Sequence, residues 1–188
     1  MLLAFLLALP STQAASYEVD ASHSRVGFSV VHMTISTVRG SFGSVVGSVE
    51  YDEKNVSATK VSGTITVSSV STGEAKRDAH LVGADFFDAA GFPTMTFTST
   101  SVKNVSATGF DLVGNLTMRG VTKEVTLHLD PFSAEIKDPW GGTRRATKAK
   151  GTLNRKDFGV SWSAMMDGGG FVVSDEVQIE LDIELKKI

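Results

Sequence analysis

Residues 72–88, TGEAKRDAHLVGADFFD, interrupt a chain in which apolar and polar residues otherwise alternate with a period of two. The segment is rich in residues that favour helices, namely Glu74, Ala75, Lys76, Ala79, Leu81 and Ala84. Thr72 stands ahead of it as the expected N-cap, with Glu74 in the first turn. The pattern predicts a short helical segment near residues 73–88, which would close one end of a β-structure or form the rim of a pocket.

The rest of the chain predicts roughly eight to nine amphipathic strands joined mostly by short turns. The last strand, residues 177–187, has the clearest alternation, because every second residue from Val177 to Leu185 is apolar. This pattern favours an all-β fold. Among all-β folds we expect an antiparallel barrel, because closing the sheet removes exposed strand edges. A barrel of about eight strands can either fill itself with side chains or hold one slender ligand, and periodicity does not choose between the two.

The positions that alternation turns inward are almost wholly apolar. They are Phe28, Val30, Val61, Ile65, Val67, Phe97, Leu116, Val125, Leu127, Ile179, Leu181 and Ile183. A cavity with this lining would take an oily ligand.

The composition of the chain limits the classes of function that it can have. The chain has 188 residues, 41% hydrophobic, which suits one β-rich domain. A net charge of −3 gives no general reason to expect nucleic acid as a partner. The absence of cysteine excludes thiol catalysis, disulfides and zinc-thiolate sites.

The N-terminus has the pattern of an export signal. Residues 2–9 form an apolar run that is followed by small residues, Ala14 and Ala15, although no Lys or Arg precedes Arg25. We therefore expect residues 1–15 to be a cleaved signal peptide and residues 16–188 to be the mature domain. The run is too short to span a bilayer, so stable membrane insertion is not expected.

Polar residues allow several interpretations. His32 shares a strand face with Phe28, so it is either a buried histidine bonded to a carbonyl or a polar contact near the end of a cavity. A basic run follows a predicted turn at residues 138–142 and consists of Arg144, Arg145, Lys148, Lys150, Arg155 and Lys156. We interpret the run as a solvated strand face in preference to a phosphate site.

A set of short motifs, in order along the chain, resembles the YceI-like family. The motifs are His23-Ser24 with the strand ending at His32, Gly40-Ser41-Phe42, Arg77-Asp78-Ala79-His80-Leu81 with Asp85-Phe86-Phe87, Phe92-Pro93 with Phe97-Thr98-Ser99-Thr100, Gly114-Asn115-Leu116-Thr117 with Arg119-Gly120-Val121-Thr122-Lys123, Asp138-Pro139-Trp140-Gly141-Gly142, and Arg155-Lys156-Asp157-Phe158-Gly159. They cover essentially the whole predicted mature chain.

The resemblance implies an extended, lipocalin-like, eight-stranded antiparallel barrel and a periplasmic location. It also implies non-catalytic binding or transport of a long amphiphilic isoprenoid, polyprenyl or quinone-type, in the barrel tunnel. No cofactor is expected apart from this lipid, and a homodimer is left open.

On this interpretation the lipid tail lies along an apolar tunnel formed by Phe28, Val30, Phe42, Ile65, Phe86, Phe87, Phe97 and Leu116. The polar end of the ligand is surrounded by His32, Arg77, Asp78 and His80. The alternative for Arg77, Asp78 and His80 is an internal ion-pair and capping network that holds the helical segment closed.

Two other function classes stay open. One is an envelope-stress or interaction protein with a packed barrel, whose contacts would lie at residues 139–140 and 165–170. The other is a metal-dependent or acid–base enzyme built on His23, His32 and His80 with Asp78. No nucleophile elbow, phosphate-binding glycine loop or dinucleotide motif occurs, so the sequence favours a protein that is not an enzyme.

Overall fold

The computed structural model describes residues 14–188. The predicted signal peptide lies outside the described residues except for its last two positions, and its boundary stays a prediction. None of the helical segments between residues 14 and 188 has the length and hydrophobicity needed to cross a membrane.

The described residues form one helix, α1 (Ala75–Val82), and twelve strands. The strands are β1 (Ala15–Val19), β2 (Arg25–His32), β3 (Ser36–Phe42), β4 (Val45–Tyr51), β5 (Lys60–Thr66), β6 (Val70–Ser71), β7 (Thr94–Ser106), β8 (Gly109–Met118), β9 (Val121–Leu129), β10 (Ile136–Lys137), β11 (Thr143–Asn154) and β12 (Val173–Lys187).

Six of these strands lie end to end in pairs, and each pair fills one strand position of a barrel. β1 and β2 lie end to end beside β12. β4 pairs with β1 and β3 pairs with β2, so these two strands fill the next position, and β5 and β6 fill the one after by pairing with β4 and β3 respectively. Continuing through β7, β8, β9 and β11, the ring closes where β11 pairs with β12. The result is the predicted eight-stranded, closed antiparallel barrel.

The hairpin between β8 and β9 shows how local sequence sets register. Arg119 and Gly120 have φ of 51° and 74°, the left-handed values that a tight two-residue hairpin turn requires. The turn places Met118 opposite Val121 and so fixes which side chains of β9 face inward.

The helix is shorter than predicted, and its cap differs. The side chain of Glu74 accepts hydrogen bonds from the backbone N–H groups of Lys76 (3.1 Å) and Arg77 (2.6 Å), so Glu74 is the N-cap. The assignment of Thr72 as N-cap was wrong, because its hydroxyl and its amide both donate to Asp78 instead. α1 ends at Val82, and residues 83–93 continue as turns up to β7.

The basic run is not a uniformly solvated face. Lys148 and Lys150 point outward from β11 as expected, but Arg145 and Arg155 are each only 4% exposed. Arg145 faces inward because it is on the same side of β11 as buried Ala149. The prediction was wrong for these two arginines.

Arg155 directly follows β11 and bonds both the segment between β11 and β12 and the first residues of β12. Its guanidinium donates to the carbonyls of Val160 (2.7 Å), Trp162 (2.7 Å) and Ser174 (2.9 Å), and to the Asp175 carboxylate (3.2 Å). A side chain without donors would leave these carbonyls unsatisfied.

We predict that Arg155→Met lowers the free energy of unfolding by about 2–5 kcal/mol, because it removes one buried cation and orphans its acceptors. Urea unfolding followed by circular dichroism measures the change. Lys148→Met is the matched control, since the Lys148–Asp182 pair is exposed and its loss should cost no more than about 1 kcal/mol. Equal losses in the two variants would contradict the role given to Arg155.

Candidate functional site

The barrel encloses a cavity of about 400 Å³. This volume lies within the roughly 300–1,000 Å³ typical of pockets that hold small ligands. Its wall is almost entirely hydrocarbon and is formed by side chains from strands all around the barrel. The barrel is therefore hollow, which sequence periodicity could not show.

The structure places nearly all the predicted inward positions on this wall. All eight residues of the predicted apolar tunnel line the cavity, and so do Val61, Val125, Leu127, Ile179, Leu181 and Ile183. Val67 was the exception. It lies in a 3-10 turn after β5 and is almost fully buried in the same hydrophobic cluster as Phe42 and Phe86, but it does not itself line the cavity.

Two glycines give aromatic rings of the wall room to lie against the sheet. A Cβ atom at Gly40 would lie 2.4 Å from Cζ of Phe28, and one at Gly114 would lie 2.4 Å from Cζ of Phe97. Both rings line the cavity. A larger residue at either glycine would push the ring away from the sheet, so the glycines help to set the width of the lumen.

At one end, Phe132 connects the cavity wall to a buried cluster that we call the aromatic floor and define as Tyr17, Tyr51, Phe132 and the guanidinium of Arg145. The guanidinium carbon lies 4.6 Å from the Tyr51 ring centre and 5.5 Å from those of Tyr17 and Phe132. Phe132 lines the cavity, and every member of the floor is at most 9% exposed.

Hydrogen bonds hold the floor in place. Arg145 donates to the Ser133 carbonyl (2.7 Å), to Glu53 (2.7 Å) and to the Tyr17 hydroxyl (3.2 Å). The Tyr17 hydroxyl donates to Glu135 (2.5 Å). Burial, with a further contribution from Glu135, raises the pKa of Tyr17, so its hydroxyl stays protonated as a donor.

Sequence reasoning missed this floor. The signal was present in the inward register of Arg145 on β11, and in Tyr17 and Tyr51 on paired strands. An arginine in a basic run is more often solvated, so the register alone did not identify it.

The opposite end of the cavity reaches solvent beside α1. His80 lines the cavity, yet its side chain is 44% exposed. Its ring lies edge-on to Phe86 and Trp162, with centroids 4.9 and 5.3 Å away, and its Nε2 is 3.0 Å from Oδ2 of Asp85. His32, on β2, also lines the cavity.

Arg77 and Asp78 are brought together through Thr72. Asp78 accepts hydrogen bonds from the backbone N–H (2.8 Å) and the hydroxyl (2.5 Å) of Thr72. Arg77 donates to the same hydroxyl (2.7 Å) and to the Thr72 carbonyl (3.1 Å). Arg77 lines the cavity and Asp78 does not, which supports the internal-network alternative for Asp78.

The suggested histidine–metal grouping does not form. Within residues 14–188, the one cluster with suitable ligand geometry is Asp20, His23 and Glu184, and it includes neither His32, His80 nor Asp78. The Arg144 guanidinium already donates to Asp20 and to Glu184 (2.7 Å). An arginine cation thus occupies the place where a metal would compensate the carboxylates.

Asp20 gives this cluster a pH dependence. Hydrogen bonds from Ser22, Arg144 and His23 hold the pKa of Asp20 well below its usual range. A depressed carboxyl pKa contributes stability that is present above the unfolded-state pKa of about 3.9 and is lost as the pH falls towards the folded-state value.

We predict that the stability difference between the native chain and Asp20→Asn is constant above about pH 5 and shrinks below about pH 4. Chemical unfolding at several pH values measures it. A difference that stays the same from pH 7 to pH 3 would show that the Asp20 charge does not stabilise the fold.

We also predict that Gly40→Ala narrows the lumen by displacing Phe28. A narrower lumen fits a hydrophobic fluorescent probe less well. A loss of about 1 kcal/mol in binding free energy would weaken binding of the probe roughly fivefold. Gly43→Ala is the control, because a Cβ there meets nothing closer than the Ser69 carbonyl oxygen at 4.0 Å. Unchanged probe affinity in Gly40→Ala would contradict the proposed effect on lumen width.

Comparison with known proteins adds family evidence to this geometry. Residues 17–185 match the family model of the YceI-like domain. The chain is 40% identical over 185 residues to Protein YceI of Salmonella newport, with 97% of this chain and 93% of the relative covered.

Solved structures have the same fold. BcnA of Burkholderia cenocepacia superposes with a TM-score of 0.77 at 23% identity, over 88% of this chain and 98% of BcnA. A polyisoprenoid-binding domain from Saccharophagus degradans, implicated in plant cell wall breakdown, gives a TM-score of 0.65 at 16% identity, over 93% and 99% of the two chains.

Proposed function

The chain belongs to the YceI-like domain family, and from this premise we propose that it binds a long-chain isoprenoid lipid, polyprenyl or quinone-type. The observation that carries the proposal is the hollow, hydrocarbon-lined cavity. The polyisoprenoid-binding neighbour from Saccharophagus degradans, with the same fold, supports the choice of ligand class.

The apolar wall supplies the affinity for the tail. Transfer of a hydrocarbon chain out of water stabilises the complex by about 0.8 kcal/mol per buried CH₂ group. The wall offers few hydrogen-bond partners along its length, so a slender hydrocarbon tail fits it better than a polar chain.

The polar end of the ligand lies, in this proposal, beside α1. His32, Arg77 and His80 border the cavity there and can supply donors to a hydroxyl, carbonyl or phosphate group. Asp78 acts indirectly, because it holds the Thr72 hydroxyl that in turn accepts from Arg77.

The protein is proposed to carry or hold the lipid unchanged, in the periplasm. The family and the polyisoprenoid-binding neighbour support a binding protein over an enzyme. The location rests on the export pattern of the N-terminal sequence. The hollow barrel disfavours the packed-barrel alternative.

Lipid retention tests the proposal directly. We predict that an organic extract of the purified protein contains an isoprenoid lipid detectable by mass spectrometry. Val125→Trp should lower the retained lipid at least about tenfold, because the indole fills part of the lumen.

Thr126→Trp is the matched control, since Thr126 is the next residue of β9 and points into solvent. Its lipid content should equal that of the native chain. Extracts without lipid, together with a purified barrel that takes up no added prenyl alcohol, would overturn the proposal. Equal retention by the two tryptophan variants would also contradict it.

A further inference from the structure

Five exposed hydrophobic side chains gather on two neighbouring segments. Val31, Met33 and Ile35 lie on the hairpin between β2 and β3, while Met165 and Phe171 lie on the segment before β12. We call these five residues the apolar rim. Their exposure is large, reaching 82% for Ile35 and 77% for Met165, and large exposed apolar patches mark interaction sites.

Hydrogen bonds join the two segments into one surface. The Met33 N–H donates to the Val172 carbonyl (2.8 Å), and the Val31 N–H donates to the Ser174 hydroxyl (3.1 Å). Met165 and Phe171 face each other in an isolated antiparallel bridge. The rim is therefore continuous across both segments.

The rim adjoins the cavity. His32 lies between Val31 and Met33 and lines the cavity, and Val172 and Val173 line it directly after Phe171. His32 and Val173 are paired across β2 and β12. The Trp162 ring lies 5.3 Å from that of His80, and Arg155 bonds both the Trp162 and the Ser174 carbonyls, so the rim borders the end of the lumen at which His80 lies.

The chemistry of the rim fits a lipid surface. Residues 31–38 contain no Asp, Glu, Lys or Arg, and Met33 and Thr34 have φ of 51° and 62°, forming a tight turn that ends the hairpin in apolar residues. The ammonium of Lys156 lies 5.3 Å from the centre of the Phe171 ring and 2.9 Å from the Asp175 carboxylate, so the charge beside the apolar tip is compensated. The rim thus presents mainly apolar side chains, and buried apolar area is one of the terms that set the strength of binding at a membrane interface.

We propose that the apolar rim docks on the surface of a lipid bilayer and presents the mouth of the cavity to it. This inference rests on the proposed function. A tail that crossed water would lose about 0.8 kcal/mol for each exposed CH₂ group, whereas a mouth held against the bilayer shields the tail during transfer. Continuity of the rim with the apolar lumen favours a bilayer over a protein partner.

Flotation with vesicles of phosphatidylethanolamine and phosphatidylglycerol tests the docking. The double variant Ile35→Asp, Met165→Asp should bind vesicles roughly tenfold less than the native chain, because charge replaces two apolar tips. Ile136→Asp is the control: Ile136 is 62% exposed but lies on β10, opposite Arg144 and away from the rim. Its binding should be unchanged.

Lipid extraction from the same variants separates this inference from the proposed function. Retained lipid in the double variant, with vesicle binding lost, supports docking by the rim. Vesicle binding that is equal in all three proteins, or absent from the native chain, overturns it even where lipid is retained. Capture of a protein that depends on the rim, without vesicle binding, overturns the docking inference as well. Absence of lipid from every extract counts against the proposed function alone.

Discussion

The pairing of β12 with β11 on one side and with β1 and β2 on the other is the constraint on which the whole structure depends. It closes the sheet and leaves the fifteen-residue β12 without a free edge. Strict alternation then turns one row of its side chains into the lumen and the other into water. A slip of one residue along β12 would exchange the two rows and put carboxylates inside the barrel.

Closure alone does not keep the barrel hollow. The side chains of the wall lie against the sheet where glycines permit it, as at Gly40 beneath Phe28 and Gly114 beneath Phe97. The buried Arg145 stacks on Phe132 and so supports one end of the wall, while α1 and its Thr72-centred hydrogen bonds border the other end. The cavity is thus maintained by particular contacts at its wall and ends.

Patterns within single strands predicted the strands and their inward faces well, because in–out alternation acts locally. The same reasoning failed where partners lie far apart in sequence. Arg145 reaches Tyr17 and Glu53, and although alternation along β11 puts it on the face opposite Lys148, the local sequence does not show the distant partners that let its charge be buried. The N-cap was misplaced because Thr is a preferred N-cap residue and Glu is not, whereas in the structure Thr72 is engaged by Asp78 and Glu74 takes the capping position.

The aromatic floor at Arg145 has a kinetic consequence. On the proposed function, a lipid whose headgroup lies beside α1 enters tail first towards the aromatic floor and leaves by the same route, headgroup first. A competitor cannot push the resident molecule out from behind. Exchange between two ligands is therefore dissociative, and its rate is set by the departure of the first, whatever the concentration of the second.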